Sequence, residues 1–182
     1  HYRDMKNENK KKNKEFGNKI LNKLYEIDQI ISVTIVGSFI NNYNIDKIGD
    51  LDVVVVCKKL SKNLFVNCNR VVKSFNNQII LKKRKLKINT TFGPVKFNSQ
   101  KFFTIHLMIY DIQGHKKHCI NSPFTCFDWE KSKLNLGKSL KEIYPVYNIQ
   151  LRDFFEGKRN SLEYLRDLQN NKISTYNYIF EN

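Results

Sequence analysis

Apolar residues near the start of the chain recur mostly every three or four positions, which is the spacing of one face of an α-helix. These residues are Phe16, Ile20, Leu24, Ile27 and Ile31. The pattern predicts an amphipathic helix. The segment before it, residues 1–14, is polar and mostly basic, so we expect a flexible N-terminal extension there.

Two short runs of mainly β-branched residues follow at residues 33–36 and 51–57, and a polar loop joins them. Such runs are typical of buried strands. Residues 61–78 then place apolar side chains on one helical face, and Ser61 stands where an N-cap is expected. We therefore expect a helix that covers the sheet.

The middle of the chain returns to β-prone patterns. Residues 79–81 and 86–91 should be extended, residues 92–94 (Phe-Gly-Pro) should form a turn, and residues 102–111 should form a strand. Together with the two earlier strands, these segments predict a mixed sheet of at least four strands.

Helical spacing dominates the last third of the chain. It predicts helices at residues 138–144, 146–155 and 161–168. Pro145 should break the pattern between the first two, and residues 156–158 (Glu-Gly-Lys) should separate the last two.

The predicted fold is therefore α/β (α+β), with a mixed β-sheet flanked by helices over one face. A chain of 182 residues is long enough for one compact domain and a short helical appendage. We place the domain at residues 15–113. Residues 114–182 should form a helical C-terminal segment packed on it.

The chain is strongly basic, because 32 Lys and Arg against 17 Asp and Glu give a formal net charge of +15. A polyanionic partner such as RNA or DNA is one explanation. The other is composition, because Lys, Asn and Ile are residues that an AT-rich genome favours whatever the protein does. Both explanations stand at this point.

The densest basic run leads into a predicted strand. It contains Lys82, Lys83, Arg84, Lys85 and Lys87. These side chains could grip a nucleic-acid backbone or a triphosphate. Lysines on an edge strand also protect it against aggregation, and that explanation is at least as good.

Membrane insertion and disulfides are not expected. The chain contains no run of about 18 or more apolar residues, which a membrane-spanning helix needs. The four cysteines form no CxxC pair, so a reducing cytoplasm fits best. His115, His118, Cys119 and Cys126 lie close together, but their spacing matches no zinc motif, and we interpret them as loop histidines and buried cysteines.

One segment carries a chemical pattern. A predicted strand ends at Gly37-Ser38, and eleven residues later Asp50-Leu-Asp52 opens the next strand. A glycine at a strand end lets the backbone approach a phosphate, and the neighbouring hydroxyl and amides can donate to phosphate oxygens. Two aspartates separated by one residue on a strand point to the same face, so their carboxylates can share hard cations.

This order and spacing resembles the nucleotidyltransferase superfamily related to DNA polymerase beta. Its signature is Gly-Ser, a spacer, and two acidic residues that flank one other residue. The resemblance covers Val33–Cys57 directly and residues 15–111 in element order. It implies a minimal nucleotidyltransferase fold and an enzyme that transfers a nucleoside monophosphate from an NTP to an acceptor hydroxyl on RNA (such as tRNA), DNA, a protein or a small molecule.

The resemblance also implies roles for individual residues. Gly37 and Ser38 would bind the β- and γ-phosphates of the nucleotide. Asp50 and Asp52 would be catalytic and would hold Mg²⁺ or Mn²⁺, which polarises the α-phosphate and activates the acceptor hydroxyl.

Members of the superfamily normally carry a third carboxylate on a later strand. Strand alternation puts His106 on the polar face of residues 102–111, so His106 is the first candidate for that position, as a base or a weak neighbour of the metal. Asp111 is the second candidate, although alternation places it on the opposite face of the strand from His106. If neither serves, the protein would be a catalytically impaired module that binds nucleotides or nucleic acids. A metal-dependent nuclease is a third interpretation.

Overall fold

A computed structural model describes residues 2–43, 45, 49–76, 81, 83–89, 100–146 and 149–169 of the chain. Within these residues the strands are β1 (Ile30–Val36), β2 (Asp50–Cys57), β3 (Lys85–Asn89), β4 (Phe102–Asp111) and β5 (Asn135–Gly137). The helices are α1 (Tyr2–Tyr25), α2 (Phe39–Asn42), α3 (Lys62–Lys73), α4 (Ile112–Asn121), α5 (Pro123–Trp129), α6 (Leu140–Ile143) and α7 (Leu151–Gln169).

The described strands form one sheet, in the order β3-β4-β2-β1-β5. β1 is antiparallel to β2 and to β5, whereas β2 and β3 both run parallel to β4. β4 matches the strand predicted at residues 102–111, and β3 lies largely within the segment predicted at residues 86–91. The mixed sheet of at least four strands flanked by helices is therefore confirmed.

One face of the sheet is apolar along its whole length. Val53 and Val55 of β2 and Ile105 and Leu107 of β4 are buried there, in one cluster with Phe16 of α1 and with side chains of α3. The alternation that places His106 on the polar face of β4 places Ile105 and Leu107 on this apolar face. Burial of these side chains beneath α1 and α3 supplies most of the hydrophobic stabilisation of the sheet.

The opposite face is apolar only at one end, where a second cluster forms. It contains Val36, Val54, Val56, Met108, Tyr110, Cys119, Cys126, Trp129 and Leu140. The last four come from α4, α5 and α6, so helices cover parts of both faces. The expectation of helices over one face was wrong, because the unbroken valine run of β2 requires burial on both sides.

Helix α1 extends further towards the N-terminus than expected. It begins at Tyr2, so residues 2–14, expected as a flexible extension, are helical. The buried side chain of Asn13 donates a hydrogen bond to the backbone carbonyl of Tyr43. This contact fixes the middle of α1 to the segment that follows α2.

The ends of α1 and α3 have local causes. α1 ends at Tyr25 and Ile31 belongs to β1, because the chain turns at Gln29, where φ is 69°. α3 begins after Ser61 as predicted, and the Ser61 hydroxyl accepts a hydrogen bond from the backbone N–H of Leu64. A side-chain oxygen in this position satisfies a donor that the helix itself cannot satisfy.

The C-terminal segment differs from its prediction in two places. Residues 135–137 form β5, a strand too short to show an alternating pattern, and α7 continues through residues 156–158. α6 ends before Pro145, as predicted.

The predicted turn at residues 92–94 and most of the extended segment at 79–81 lie outside the described residues. No helix within the described part of the chain is both long enough and apolar enough to cross a membrane.

Two glycines of the C-terminal segment should respond in opposite ways to alanine. At Gly137, φ is 77° and a Cβ would overlap the carbonyl oxygen of Ile31, so Gly137→Ala should lower the free energy of unfolding by about 1–3 kcal/mol. At Gly157 a Cβ would only touch the ring of Phe124, so Gly157→Ala should raise it by about 0.5–1 kcal/mol. Urea denaturation followed by circular dichroism measures both, and a destabilised Gly157→Ala protein would contradict a continuous α7.

Candidate active site

The Gly-Ser pair lies at the end of β1, beside the first residues of β2. The backbone of Gly37 is left-handed, with φ of 76°, a conformation that residues with a Cβ rarely adopt. A Cβ built there would overlap Oδ2 of Asp52. Asp52 pairs with Val36 across the antiparallel β1–β2 ladder, which explains this close approach. Glycine is therefore required both by the backbone conformation and by the neighbouring carboxylate.

Ser38 follows as the N-cap residue of the short helix α2. Its side chain makes no capping hydrogen bond, and the residue is exposed. The hydroxyl is therefore not used to hold α2. It is accessible from solvent beside Gly37, as binding of a phosphate requires.

Asp50 and Asp52 lie on the same face of β2, as alternation predicted. Both are half-buried, and the side chain of Asp52 is 27% exposed. Val54 continues this face into the second core cluster. The two carboxylates therefore stand at the border between the core and the solvent.

The neighbouring strand β4 brings His106 to the same place. The parallel register of β2 and β4 pairs His106 directly with Asp52. Nδ1 of the imidazole lies 3.3 Å from Oδ1 of Asp52, a long hydrogen bond, and the His106 side chain is only 9% exposed. His106 thus lies beside one of the two aspartates, where alternation had suggested it would be.

Two polar rows cross the sheet at this level. They are Asn89, His106 and Asp52 in the first row and Lys87, Thr104 and Asp50 in the second. Asn89 and Thr104 are both 4% exposed. The sequence indicates on which face of its strand each of these residues lies. It does not indicate the strand order that makes them neighbours of the aspartates, so the sequence analysis did not identify them.

Asp111, the second candidate for the third carboxylate, lies elsewhere. It pairs with Cys57, five residues along the ladder from Asp52, which corresponds to about 16 Å. Its carboxylate caps α4 by accepting a hydrogen bond of 2.6 Å from the backbone N–H of Gly114. Asp111 therefore cannot share a cation with Asp50 and Asp52 in this arrangement.

The donor set fits a cation that is shared with a phosphate. Among the described residues, no three or more His, Cys, Asp and Glu side chains are grouped so as to hold a metal ion. Mg²⁺ is usually bound through one or two carboxylates, with water and phosphate oxygens in the other positions. Asp50 and Asp52 supply such carboxylates. Because Gly37 has no Cβ, its backbone lies directly against the Asp52 carboxylate. The side chain of a larger residue would fill the space beside that carboxylate.

Arg84, predicted as part of a nucleic-acid-binding run, has a structural role. Its Nη2 donates to the backbone carbonyl of Ile45 at 2.9 Å, and its Nε donates to that of Leu81 at 3.3 Å. Its guanidinium carbon lies 5.2 Å from the centre of the Phe103 ring. These contacts join the segment before β3 to the core, so Arg84 is a weak candidate for contacting a ligand.

Lys85 and Lys87 are exposed on β3, which is an edge strand of the described sheet. They share the face of Asn89, and therefore the face of the aspartates. Lys87 is two strands away from Asp50, about 10 Å across the sheet. Lys83 is also exposed, whereas Lys82 lies outside the described residues.

The cluster of histidines and cysteines lies in helices rather than in a loop. His115, His118 and Cys119 belong to α4, and Cys126 belongs to α5. Both cysteines are buried, as expected, and so is His115. His118 stacks on Trp129, with ring centres 5.1 Å apart. The interpretation of the histidines as loop residues was wrong, because α4 starts directly at the end of β4.

Comparison of the chain with protein-family models, with curated proteins and with solved structures finds no match in any of the three. A function for the site must therefore be inferred from its own residues and geometry.

Substitutions at the Gly-Ser pair should separate structure from ligand binding. Gly37→Ala should lower the free energy of unfolding by about 1–2 kcal/mol, because alanine is strained at positive φ and displaces the Asp52 carboxylate. Ser38→Ala should change it by less than about 0.5 kcal/mol, because the hydroxyl makes no capping bond. Urea unfolding of both variants tests this, and equal stability of Gly37→Ala and wild type would contradict the geometry of the site.

Proposed function

We propose that the protein is a Mg²⁺-dependent nucleotidyltransferase that transfers a nucleoside monophosphate from an NTP to an acceptor hydroxyl. The observation that carries the proposal is the contact between Gly37 and Asp52. A left-handed glycine at the end of β1 packs against the second aspartate of β2, so the phosphate-binding and metal-binding halves of the sequence pattern meet at one point.

The order of elements supports the same function. A strand leads to Gly37-Ser38, a short helix follows, and an antiparallel strand carries Asp50 and Asp52. This is the context in which the superfamily related to DNA polymerase beta uses these residues. We therefore propose membership of that superfamily.

Each residue of the site has a separate task in the proposed reaction. Gly37 lets the backbone reach the β- and γ-phosphates, and the Ser38 hydroxyl donates to a phosphate oxygen. Asp50 and Asp52 would hold Mg²⁺ or Mn²⁺. The chemistry that the ion supplies in such a site is charge neutralisation on the phosphates and polarisation of the α-phosphate.

His106 departs from the carboxylate that the superfamily normally carries at the third position. Its contact with Oδ1 of Asp52 orients that carboxylate towards Gly37. We assign it a second role as the group that accepts the proton of the attacking hydroxyl, since a neutral imidazole carries one ring nitrogen that can accept a proton.

A polyanionic acceptor, RNA or DNA, fits the charge of the chain best. The formal net charge is +15, and Lys85 and Lys87 are exposed on the face of the sheet that carries the aspartates. An extended anion bound across the two polar rows would reach these lysines from the site. The run that includes Lys83 would extend the same positive surface.

Binding of nucleotides should depend on the two aspartates. Isothermal titration calorimetry with ATP, GTP, CTP and UTP should detect binding of at least one nucleotide with Mg²⁺ present. In Asp50→Asn/Asp52→Asn protein the affinity should fall at least about tenfold, a loss of about 1.4 kcal/mol, because the two carboxylates that would hold Mg²⁺ are lost. Ser38→Ala should weaken binding without affecting stability.

The matched control is Asp28→Asn/Asp128→Asn, which makes the same change of charge at two exposed aspartates. It should bind like the wild type. Equal loss in both double variants would mean that general electrostatics, not the site, is responsible. Absence of binding to any nucleotide by folded wild-type protein would overturn the proposal.

A binding module without transfer activity is the second candidate. The observation in its favour is that the described residues place an imidazole, and no third carboxylate, beside Asp52. Such a protein would bind nucleotide or nucleic acid through the same residues and would not release pyrophosphate.

Kinetics at His106 separate the two candidates. With α-phosphate-labelled NTP, Mg²⁺ and RNA or DNA, the wild type should transfer label and release pyrophosphate. His106→Asn keeps a hydrogen-bond donor near Asp52 but cannot accept a proton, so kcat should fall by about 10²–10⁴-fold while nucleotide affinity stays within a few fold. Binding without any transfer would favour the module, and strand cleavage without added nucleotide would identify a nuclease.

A further inference from the structure

A cleft of about 710 Å³ lies between α5 and α7. Its walls include Phe124 and Phe127 of α5 and Phe154 of α7, and we call it the aromatic cleft. The described residues that line it include none of the candidate active site. Sites that bind ligands usually have volumes of about 300–1,000 Å³, so the aromatic cleft is large enough to be one.

The three phenyl rings of the aromatic cleft are open to solvent. Phe124 is 44% exposed, Phe127 is 41% exposed and Phe154 is 38% exposed. Apolar side chains that are exposed together, rather than singly, mark a place where another molecule binds. Phe124 and Phe154 contact each other edge to face, with ring centres 5.7 Å apart. This contact between α5 and α7 holds the walls of the cleft in place before a ligand arrives.

Lysine ammonium groups lie over two of these rings. Nζ of Lys131 is 4.6 Å from the centre of the Phe127 ring. Nζ of Lys158 is 5.1 Å from the centre of the Phe154 ring. Both lysines line the cleft. Lys131 also lies 3.7 Å from the carboxylate of Asp128, but an exposed ion pair is weak and is screened by salt. The cleft therefore combines aromatic faces with positive charge.

We propose that the aromatic cleft is a binding site for single-stranded nucleic acid. A nucleobase that stacks on a phenyl ring brings its phosphate close to the neighbouring lysine. The formal net charge of +15 favours the same class of partner. The bases of a duplex are stacked on each other and present only their edges, so the strand must be single. The proposal does not require nucleotidyl transfer.

Binding exchanges one ring contact for another. In the free protein the ammonium of Lys131 covers one face of Phe127, and such contacts are weak at exposed sites. When a base stacks on that face, the ammonium turns to the adjacent phosphate. Lysine has a flexible four-carbon stem, so this exchange moves a side chain and leaves the backbone in place. Lys158 and Phe154 allow the same exchange.

A second copy of the chain is the alternative occupant of the cleft, and charge argues against it. The formal net charge of +15 makes two copies repel each other. Lys131 and Lys158 line the cleft itself, so a positively charged partner would meet positive charge there. A polyanion relieves this repulsion, and its bases fill the space between the rings.

The first test compares a single strand with a duplex. Fluorescence anisotropy follows a labelled oligonucleotide of about 12 nucleotides, alone or paired with its complement, at about 0.15 M salt. Neither NTP nor Mg²⁺ is added. We expect the single strand to bind at least about tenfold more tightly than the duplex, because only unpaired bases can stack on the rings. Asp50→Asn/Asp52→Asn protein should show the same preference, so this result is independent of the proposed reaction.

A ring substitution tests the stacking. Phe127→Leu keeps an apolar side chain but removes the aromatic face, so affinity for the single strand should fall at least about fivefold. The matched control is Tyr25→Leu at the end of α1, where the ring is also 41% exposed. The control should leave the affinity unchanged. Circular dichroism verifies that both variants fold.

A charge substitution tests the phosphate contacts without altering the core. Each lysine that contacts a phosphate of a single strand adds about 0.7 to the slope of log affinity against log salt. Lys131→Gln/Lys158→Gln should therefore make that slope shallower by about 1.4. The control Lys62→Gln/Lys73→Gln changes two exposed lysines of α3, which covers the opposite face of the sheet, and should leave the slope unchanged.

Three results would overturn the proposal. The first is equal affinity for the single strand and the duplex. The second is a loss of affinity or of salt dependence that is the same in the cleft variants and in their controls. The third is a dimer in analytical ultracentrifugation that Phe127→Leu dissociates, because it would assign the cleft to a second copy of the chain.

Discussion

The parallel pairing of β2 with β4 is the interaction on which the rest of the structure depends. Its register sets Asp52 beside His106 at one end and Val56 beside Tyr110 at the other. A shift by one residue would turn every side chain of one strand to the opposite face. It would bury the carboxylate of Asp52 against α1 and α3, where an unpaired charge is very costly. The apolar face therefore fixes the register, and the register assembles the candidate site.

The face that carries the aspartates changes its chemistry along its length. At its exposed end, oxygen donors from Asp50, Asp52 and Ser38 suit hard cations and phosphates. At its covered end, Cys119 and Cys126 lie among apolar side chains under α4 and α5. The strands themselves run through both regions. The boundary between the oxygen donors and the buried thiols is therefore set by the helices that cover one end of this face.

Local contacts, more than burial, set the character of the thiols. All four cysteines are buried, yet the pKa of Cys119 is lowered while that of Cys57 and Cys68 is raised. The pKa of Cys119 is lowered by the side chains around its sulfur, Cys126 and then His115, whose Nε2 lies 3.5 Å from Sγ. In the candidate site, Gly37 and His106 both lie beside the carboxylate of Asp52.

The sequence by itself determined the features that depend on near neighbours in the chain. Alternation and valine-rich runs predicted β1, β2 and β4, Ser61 predicted the start of α3, and the spacing of Gly37, Ser38, Asp50 and Asp52 marked the candidate site. Tertiary structure decided what depends on distant partners. β5 forms by pairing with β1. Arg84 donates to backbone carbonyls of other segments. Asn89 and Thr104 lie beside the aspartates only because of the strand order. Periodicity shows on which face of its strand or helix a residue lies. Strand pairing decides which residues of different strands become neighbours, and no local sequence pattern indicates that pairing.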